Sequence, residues 1–478
     1  MTPSHNPPHK WKIFLLVAVG VFMSTLDSSM VNIALPTILK DFHSTLPATE
    51  WIVLIYLLTI TATMLFWGHL GDRNGRNRVY GAGMLVFGLG SLSCTIAPSL
   101  PFLVTSRCGQ ALGAAMLMAT GPAIIRDTFP REQLGRTLGL IGVAVSLGLM
   151  SGPPIGGFLV QYASWRTLFF ITVPIGLAAA VVSLKILPGS SKDTQNGTTD
   201  WPGALLWALG LSLGSIVMTH GGTPTARPLL SFGMMTIAII CLILFFRREK
   251  VASHPILPPD LLRDRFFSMG ILSAVLSFAT LFAAIMLTPF FLDRVLGLPA
   301  SRMGLIMTAL PAAIMLTAPV SGYLSDRIER RIIATLGIFI ATAAMFSLTS
   351  LEPTSGQIGI SIRLAILGCG QAMFLSPNSA AVLSGTKPNR TGTAAALLAT
   401  SRNLGMLLGI ALAGLVFSLV FSRLTGGLDM RDFQSQYTNE FMIALKSAFL
   451  AAALVGSMGT LTSWGRGMET IQDHESPL

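Results

Sequence analysis

The sequence predicts an all-α integral membrane protein, and three observations carry that prediction. Of its 478 residues, 52% are hydrophobic and only 11% charged, against about 25% charged in soluble domains. Apolar runs of the roughly 20 residues that a helix needs to cross a hydrocarbon core recur from end to end. No stretch between them is long enough for a soluble domain, so the chemistry must sit within the bilayer.

Fourteen apolar segments are expected, at 13–39, 51–70, 79–97, 101–125, 137–160, 167–186, 201–219, 228–246, 267–292, 301–324, 332–350, 359–383, 392–421 and 441–464. The first follows MTPSHNPPHKWK. It is too long for a signal-peptide core and has no small-residue cleavage site before Asp27, so it reads as a retained span. Segments seven and eight lie between two of the longer connections, 187–200 and 247–266. They separate two blocks of six that carry a repeat. GHLGDRNGRNRVY (68–80) and GYLSDRIERRII (322–333) share Gly68/Gly322, Leu70/Leu324, Asp72/Asp326, Arg73/Arg327 and Arg76/Arg330 at a constant offset of 254. Two blocks starting from the same side form the parallel repeat that transporters use. The expected division is therefore 1–186, an N-terminal six-helix bundle; 187–266, an inserted helix pair with cytoplasmic linkers; and 267–478, a C-terminal six-helix bundle.

Charge orients the chain. With the N-terminus inside, the inner segments hold 21 Lys and Arg and the outer loops nine, while Arg107 and Arg402 lie within spans. Excess inner positive charge places both termini in the cytoplasm. The net charge of +11 thus reflects topology, and no nucleic-acid partner is expected. Cys94, Cys108, Cys241 and Cys369 all fall inside apolar runs, without the spacing of a metal site or disulfide framework. No HExxH, phosphate loop or nucleophile–base pattern occurs, which argues against an enzyme.

Of the 21 acidic residues, 20 fall in loops or at segment ends; Asp27 alone is deep in a span. An embedded ionisable group is a functional candidate by default and needs a partner. The natural partner is Arg107, in SRCGQALGAAM (106–116). Desolvation favours the neutral carboxyl and a nearby guanidinium favours the carboxylate, so rearranging such a pair can load or release a proton. The fifth segment contains GLMSGPPIGG (148–157), whose Gly148, Gly152, Pro153 and Gly156 permit close helix contact and local bending. Asn32, Gln110, Gln371, Asn378, Arg402 and Asn403 are the remaining polar groups expected to line a substrate cavity. Trp51, Tyr56, Phe282 and Phe374 would either stack on planar substrates or simply pack.

These motifs resemble the major facilitator superfamily. Gly68, Leu70, Asp72, Arg73, Gly75 and Arg76 match its loop 2–3 signature. Arg107, Gln110 and Gly113 resemble its fourth-span motif, with Ala111 where glycine is usual. GLMSGPPIGG is similar to the fifth-span motif of antiporters. LDSSMVNIALP, with Asp27, Asn32 and Pro36, resembles the first span of the fourteen-span drug:proton antiporters of the EmrB/QacA type. WRTLFFITVPIG (165–176) is close to that branch's pattern, with Thr172 where asparagine is common. The resemblance implies the major facilitator fold with fourteen transmembrane helices. It implies a proton-driven exporter of hydrophobic or amphiphilic drugs in a bacterial inner membrane, or a dedicated exporter of one metabolite, antibiotic or siderophore. Asp27 and Arg107 would couple protons; Gly68, Asp72, Arg73, Arg76, Asp326 and Arg327 would gate. It implies no cofactor beyond the proton gradient, and a monomer, with an adaptor where the envelope is Gram-negative. The tenth segment lacks the extra acid that some relatives use for dicationic drugs, which favours monocationic, neutral or amphiphilic substrates. Two embedded arginines against one aspartate would favour an anionic or zwitterionic one, unless Arg402 is structural.

Overall fold

The structure, a computed structural model, describes residues 10–187, 201–220, 228–251, 261, 263–325, 327–384, 391–430 and 433–467. The helices are α1 (Lys10–Asp41), α2 (Leu46–Asn74), α3 (Arg76–Thr95), α4 (Leu100–Thr128), α5 (Arg131–Tyr162), α6 (Arg166–Phe170), α7 (Thr172–Ile186), α8 (Trp201–His220), α9 (Pro228–Glu249), α10 (Arg265–Arg294), α11 (Ala300–Ser325), α12 (Arg330–Leu348), α13 (Gln357–Ser384), α14 (Thr391–Leu424) and α15 (Thr438–Gly465).

Local chemistry sets where these helices differ from the apolar segments. Helix α2 starts at Leu46 because Thr45 Oγ1 accepts from Ala48 N at 3.3 Å and Pro47 occupies its first turn, both helix-start features. That start draws Glu50 into the helix. Asp264 caps α10 by accepting from Phe266 N. The sixth segment is two helices, broken at Ile171.

Among the described residues, twelve spans are long and apolar enough to cross a membrane. The remaining two of the expected fourteen are not shown as spans among those residues. Helices α3 and α5, 20 and 32 residues long, are not among the twelve: α3 opens on Arg76 and Arg78, which lowers its mean hydropathy, and in α5 the longest run of described side chains, 147–162, is shorter than a span. The chain is a multi-pass, all-helical membrane protein.

The helices pair in two matching sets. In the first, α1 packs on α5, α3 on α4 and α7, and α2 on α4. In the second, α10 packs on α14, α12 on α13 and α15, and α11 on α13. The sets meet along two seams, α5 against α11 and α2 against α14. Helices α8 and α9 pack on each other, and α8 also touches α2 and α14. Lys10 Nζ donates to Gln133 Oε1, and Arg466 lies over the Phe266 ring. Lys40 pairs with Asp293 at 2.8 Å. These contacts put both described chain ends at one end of the bundle, termed proximal here; Lys40 and Asp293 mark the distal end.

Helices in lipid gain no hydrophobic advantage from associating, so close backbone packing must hold them. Glycine supplies it, and the repeat is visible in the pattern. A Cβ at Gly113 of α4 would collide with Phe87 N and Gly83 O of α3; one at Gly370 of α13 would collide with Ala341 N and Gly337 O of α12. Gly148 and Gly152 of α5 lie against Thr25 and Ser29 of α1, as Gly405 and Gly409 of α14 lie against Val275 and Ala279 of α10. At the distal end Gly157 meets Ala300 and Gly304 of α11, and Ser301 N donates to Gln161 Oε1 at 2.9 Å. With the Lys40–Asp293 pair, these contacts close the distal end between the halves.

Two substitutions four residues apart on α4 test this packing. Gly113→Ala is expected to destabilise by about 1–3 kcal/mol, the usual range for overpacking. Gly109→Ala, where a Cβ meets nothing within 4 Å, should be neutral or slightly stabilising. Thermal unfolding in detergent micelles gives both values.

Candidate functional site

Asp27 is the eighteenth residue of α1, about 26 Å from its start by helix rise and wholly buried. Its partner is Arg107: Nη1 donates to Asp27 Oδ2 at 2.5 Å, and the two side chains are 0% and 1% exposed. The pair sits inside a wider network. Arg107 Nη1 also donates to Gln110 Oε1 at 2.5 Å, and Gln110 Nε2 donates to Asp27 Oδ1 at 3.0 Å and to Ser91 Oγ at 2.8 Å. Arg107 Nε donates to the Ile52 carbonyl at 3.1 Å. The guanidinium lies over the Tyr56 ring at 4.1 Å and near Phe169 at 5.6 Å. Arg107 Nη2 has no partner among the described residues.

Each contact has a local reason. Arg107 and Gln110 are three residues apart, one helical turn, so both heads face α1. Ile52 and Tyr56, four apart on α2, present a carbonyl and an aromatic face to the same cation, and Tyr56 hydroxyl reaches the Ser24 carbonyl at 3.3 Å. Charge-assisted hydrogen bonds of this kind are short and strong, and a cation in low dielectric gains from an aromatic face.

The opposite face of the same turn of α1 bears on α5. Ser29 Oγ donates to the Leu149 carbonyl at 3.0 Å, between the positions where Thr25 and Ser29 lie against Gly148 and Gly152. Pro153 of α5 in turn touches Gly304 of α11. One short stretch of helix thus carries the ionisable pair on one side and the contact to a seam helix on the other.

The expected cavity residues separate. Gln110 belongs to the Asp27 network and is buried. Asn32 donates to its own helix at the Ser28 carbonyl, leaving Oδ1 without a described partner. Asn378 bridges the Gly270 carbonyl and Arg466 Nη1 near the proximal end. Gln371 accepts from Ser277 Oγ at 2.8 Å, and its Nε2, like Asn403 Nδ2, has no described partner. Arg402 is half-buried and donates to Leu398 on its own helix; no acid pairs with it among the described residues. Phe282 and Phe374 are core residues. Of the expected gating residues, Arg76 pairs with Asp127 at the end of α4 and Arg327 lies over the Tyr323 ring. Gly68 is in α2 and partly exposed. Asp326 lies outside the described residues, as do the side chains of Asp72 and Arg73.

Two acids read as lying in loops or at segment ends are buried, Glu50 and Glu249. Glu50, taken from the sequence as lying at a segment end, is 1% exposed, and neither carboxyl oxygen has a partner among the described residues. The Thr45 cap and Pro47 were the available signals that the helix starts early enough to bury it.

Two parallel sets of helices, an inserted pair and a charged network sealed in the membrane interior define a polytopic carrier. The profile of the Major Facilitator Superfamily matches residues 17–206 and 201–410, and the chain belongs to that family of membrane transporters. It is 36% identical over 452 residues to the riboflavin transporter RibZ of Clostridioides difficile (strain 630), covering 95% of this chain and 96% of that one. It is 30% identical to the tetracenomycin C resistance and export protein of Streptomyces glaucescens, covering 85% and 76%. Among solved structures, an inward-facing, unoccupied bacterial homologue of the human lysosomal transporter Spinster matches with a TM-score of 0.70 at 16% identity, covering 96% and 97%. The likeness to that structure is one of fold.

Breaking the buried pair from one side should be worse than removing it. Arg107→Met strands the Asp27 carboxylate and is expected to cost about 3–5 kcal/mol. Adding Asp27→Asn should recover more than half of that loss. Thermal unfolding of the two single variants and the double variant completes the cycle.

Proposed function

We propose that the protein is a proton-coupled antiporter that exports hydrophobic or amphiphilic small molecules by alternating access. In this reading it is of the fourteen-span drug:proton type, with α3 and α5 completing the span count and both termini in the cytoplasm of a bacterial inner membrane. Residues 1–186 and 267–478 are its two moving bundles, with 187–266 between them. The observation that carries the reading is the double role of one turn of α1: Asp27 bonds α4 on one face while Ser29 bonds α5 on the other.

The coupling follows from the bonds. When Asp27 takes a proton, its attraction to Arg107 falls, but the guanidinium keeps Ile52 O and Gln110 Oε1. Protonation therefore leaves α1 held to α4 only by the neutral Gln110 Nε2 bond to Oδ1, while α4 stays fixed to α2. A shift of α1 is passed through Ser29 to α5 and so to the α5–α11 seam. When the carboxyl loses its proton, the charge pair re-forms and restores the first arrangement. Asp72, Arg73 and Arg76, with Asp326 and Arg327 in the second half, would hold the proximal loops in one of the two states. No cofactor is needed, since the gradient itself drives the exchange, and a monomer contains both halves.

Substrate class draws on two features. Arg402, half-buried without an acid partner, with Gln371 and Asn403 as hydrogen-bonding groups, suits a molecule offering carbonyl or acidic acceptors rather than a dication. The names of two relatives concern riboflavin and tetracenomycin C, which supports planar, polycyclic amphiphiles. The 36% relative also favours a second reading, a dedicated carrier of one such compound.

Inverted membrane vesicles, energised and loaded with a pH-sensitive dye, test the proposal. A panel of planar neutral, anionic and monocationic compounds should include members that dissipate the proton gradient with the wild-type protein. Asp27→Asn should reduce that response at least tenfold. Equal responses from the two proteins would place coupling elsewhere; a single responding compound would select the dedicated carrier.

A further inference from the structure

Glu50 takes no part in the Asp27 network. Its carboxyl rests across the boundary between the halves, against Gly414 of α14, where an added Cβ would collide with both oxygens. The repeat gives this placement meaning. At the offset of 254 that relates the two loop motifs, position 50 corresponds to position 304; at an offset of 257, which relates Gly148 and Gly152 to Gly405 and Gly409, Gly157 corresponds to Gly414. The two seams are therefore one construction used twice. In the α5–α11 seam, Gly157 meets Gly304 and two backbones touch. In the α2–α14 seam, Gly414 meets a carboxyl.

An ionised carboxylate there would lie in a low-dielectric interior with nothing to pair it, and such a group takes up a proton instead. Among the described side chains, the elements packed on α2 hold no free counter-charge at that level. Helix α14 carries Arg402 and Arg423, twelve and nine residues from Gly414, about 18 and 13 Å along the helix. On α4, Arg107 is engaged with Asp27 and Ile52 O, and Arg126 and Asp127 lie at the proximal end. On α1, Lys40 pairs with Asp293 and Asp41 with Arg166, while Lys10 and Lys12 are proximal. Helix α3 contributes Arg76, Arg78, Tyr80 and Cys94, and α8 ends on His220, whose side chain lies outside the described ones. No ion pair or hydrogen bond to Glu50 is described from any of them.

We infer that Glu50 is a second proton-binding site, protonated while the α2–α14 seam is closed and ionised when the halves part and water reaches it. The inference rests on the alternating-access reading, but it concerns the seam rather than Asp27. Its sign is fixed by linkage: the closed state binds the proton more tightly, so closure is favoured at low pH and lost as pH rises.

Spin labels at Ser44→Cys and Arg423→Cys, flanking the distal ends of α2 and α14, report the opening. Cys94, Cys108, Cys241 and Cys369 are replaced for the purpose, Asp27→Asn is added to every variant so that its titration cannot supply the response, and the full chain is studied in liposomes without substrate between about pH 5.5 and 9. One linked proton changes the open-to-closed ratio by up to about tenfold per pH unit. With native Glu50 the open population should rise with pH; Glu50→Asp should keep the response. Glu50→Gln should hold the closed population with less than about a twofold change across the range. Should the Gln variant fail to fold, Glu50→Ala, which leaves a small void, must show the same flat profile. A pH response retained without the carboxyl, or absent with Glu50 in place, overturns the inference. Neither result touches the dye assay on Asp27, so the two readings fail separately.

Discussion

A charge pair closed inside a membrane bundle constrains everything around it. Asp27 and Arg107 are sealed from solvent, and either ion alone in that place would be strongly disfavoured. The pair must therefore be complete when the helices are assembled, and completing it fixes four helices together. Asp27 comes from α1, Arg107 and Gln110 from α4, the Ile52 carbonyl and Tyr56 ring from α2, and Ser91 from α3. Such a pair is weak evidence for net stability, because apolar residues of equal volume often pack as well. Its value is that its energy changes with one proton, and no packed leucine offers that.

In the proposed coupling, the glycine stripes are what turn this local change into a movement of helices. Gly148 and Gly152 bring α5 against the backbone turn of α1 that bears Asp27, with no long side chain between to absorb a shift. Protein interiors are close-packed, so a displacement on one side of such a contact is passed on rather than dissipated. Helix α5 carries it to α11 through Pro153 and Gly157. The repeat builds the same stripe in α14 against α10, through Gly405 and Gly409, giving both halves a stiff pair that can move as a unit.

Much of this was legible in the sequence. The scarcity of charge within spans singled out Asp27 and Arg107, because an embedded ion must find an embedded counter-ion, and the structure joins them. The GLMSGPPIGG stretch read as a place of close helix contact and local bending, and it lies along α1 and α11. Other features were not legible. A polar residue in a span shows that a partner exists, not which one; Gln110 reads equally well as a cavity residue or as a bond to Asp27, and Asn378 turns out to hold Arg466. Glu50 was lost to a boundary: hydropathy places the segment start at Trp51, while the Thr45 cap and Pro47 start the helix at Leu46. Arg76 and Arg78 at the start of α3 dilute its apolar character, so that helix reads less plainly as a span than its neighbours.

The inserted pair α8–α9 bears on the asymmetry between the two seams. A seam closed by backbone against backbone, as at Gly157 and Gly304, presents no charge in either state and can open and close beside lipid. A seam that holds a carboxyl cannot, because an ionised group facing acyl chains would be as costly as one buried in protein. Helix α8 lies on both α2 and α14, with Trp207 Nε1 donating to the Thr61 carbonyl of α2 at 3.3 Å. It covers the seam that carries Glu50, and α9 in turn shields α8 with an outer face of Leu229, Phe232, Ile239 and Ile243 exposed for lipid. The position of the insertion is thus explained by what it covers. With α8 as a wall, water admitted between α2 and α14 reaches Glu50 from the distal end without the seam opening toward hydrocarbon, so the carboxyl can change its charge while the bilayer never meets it.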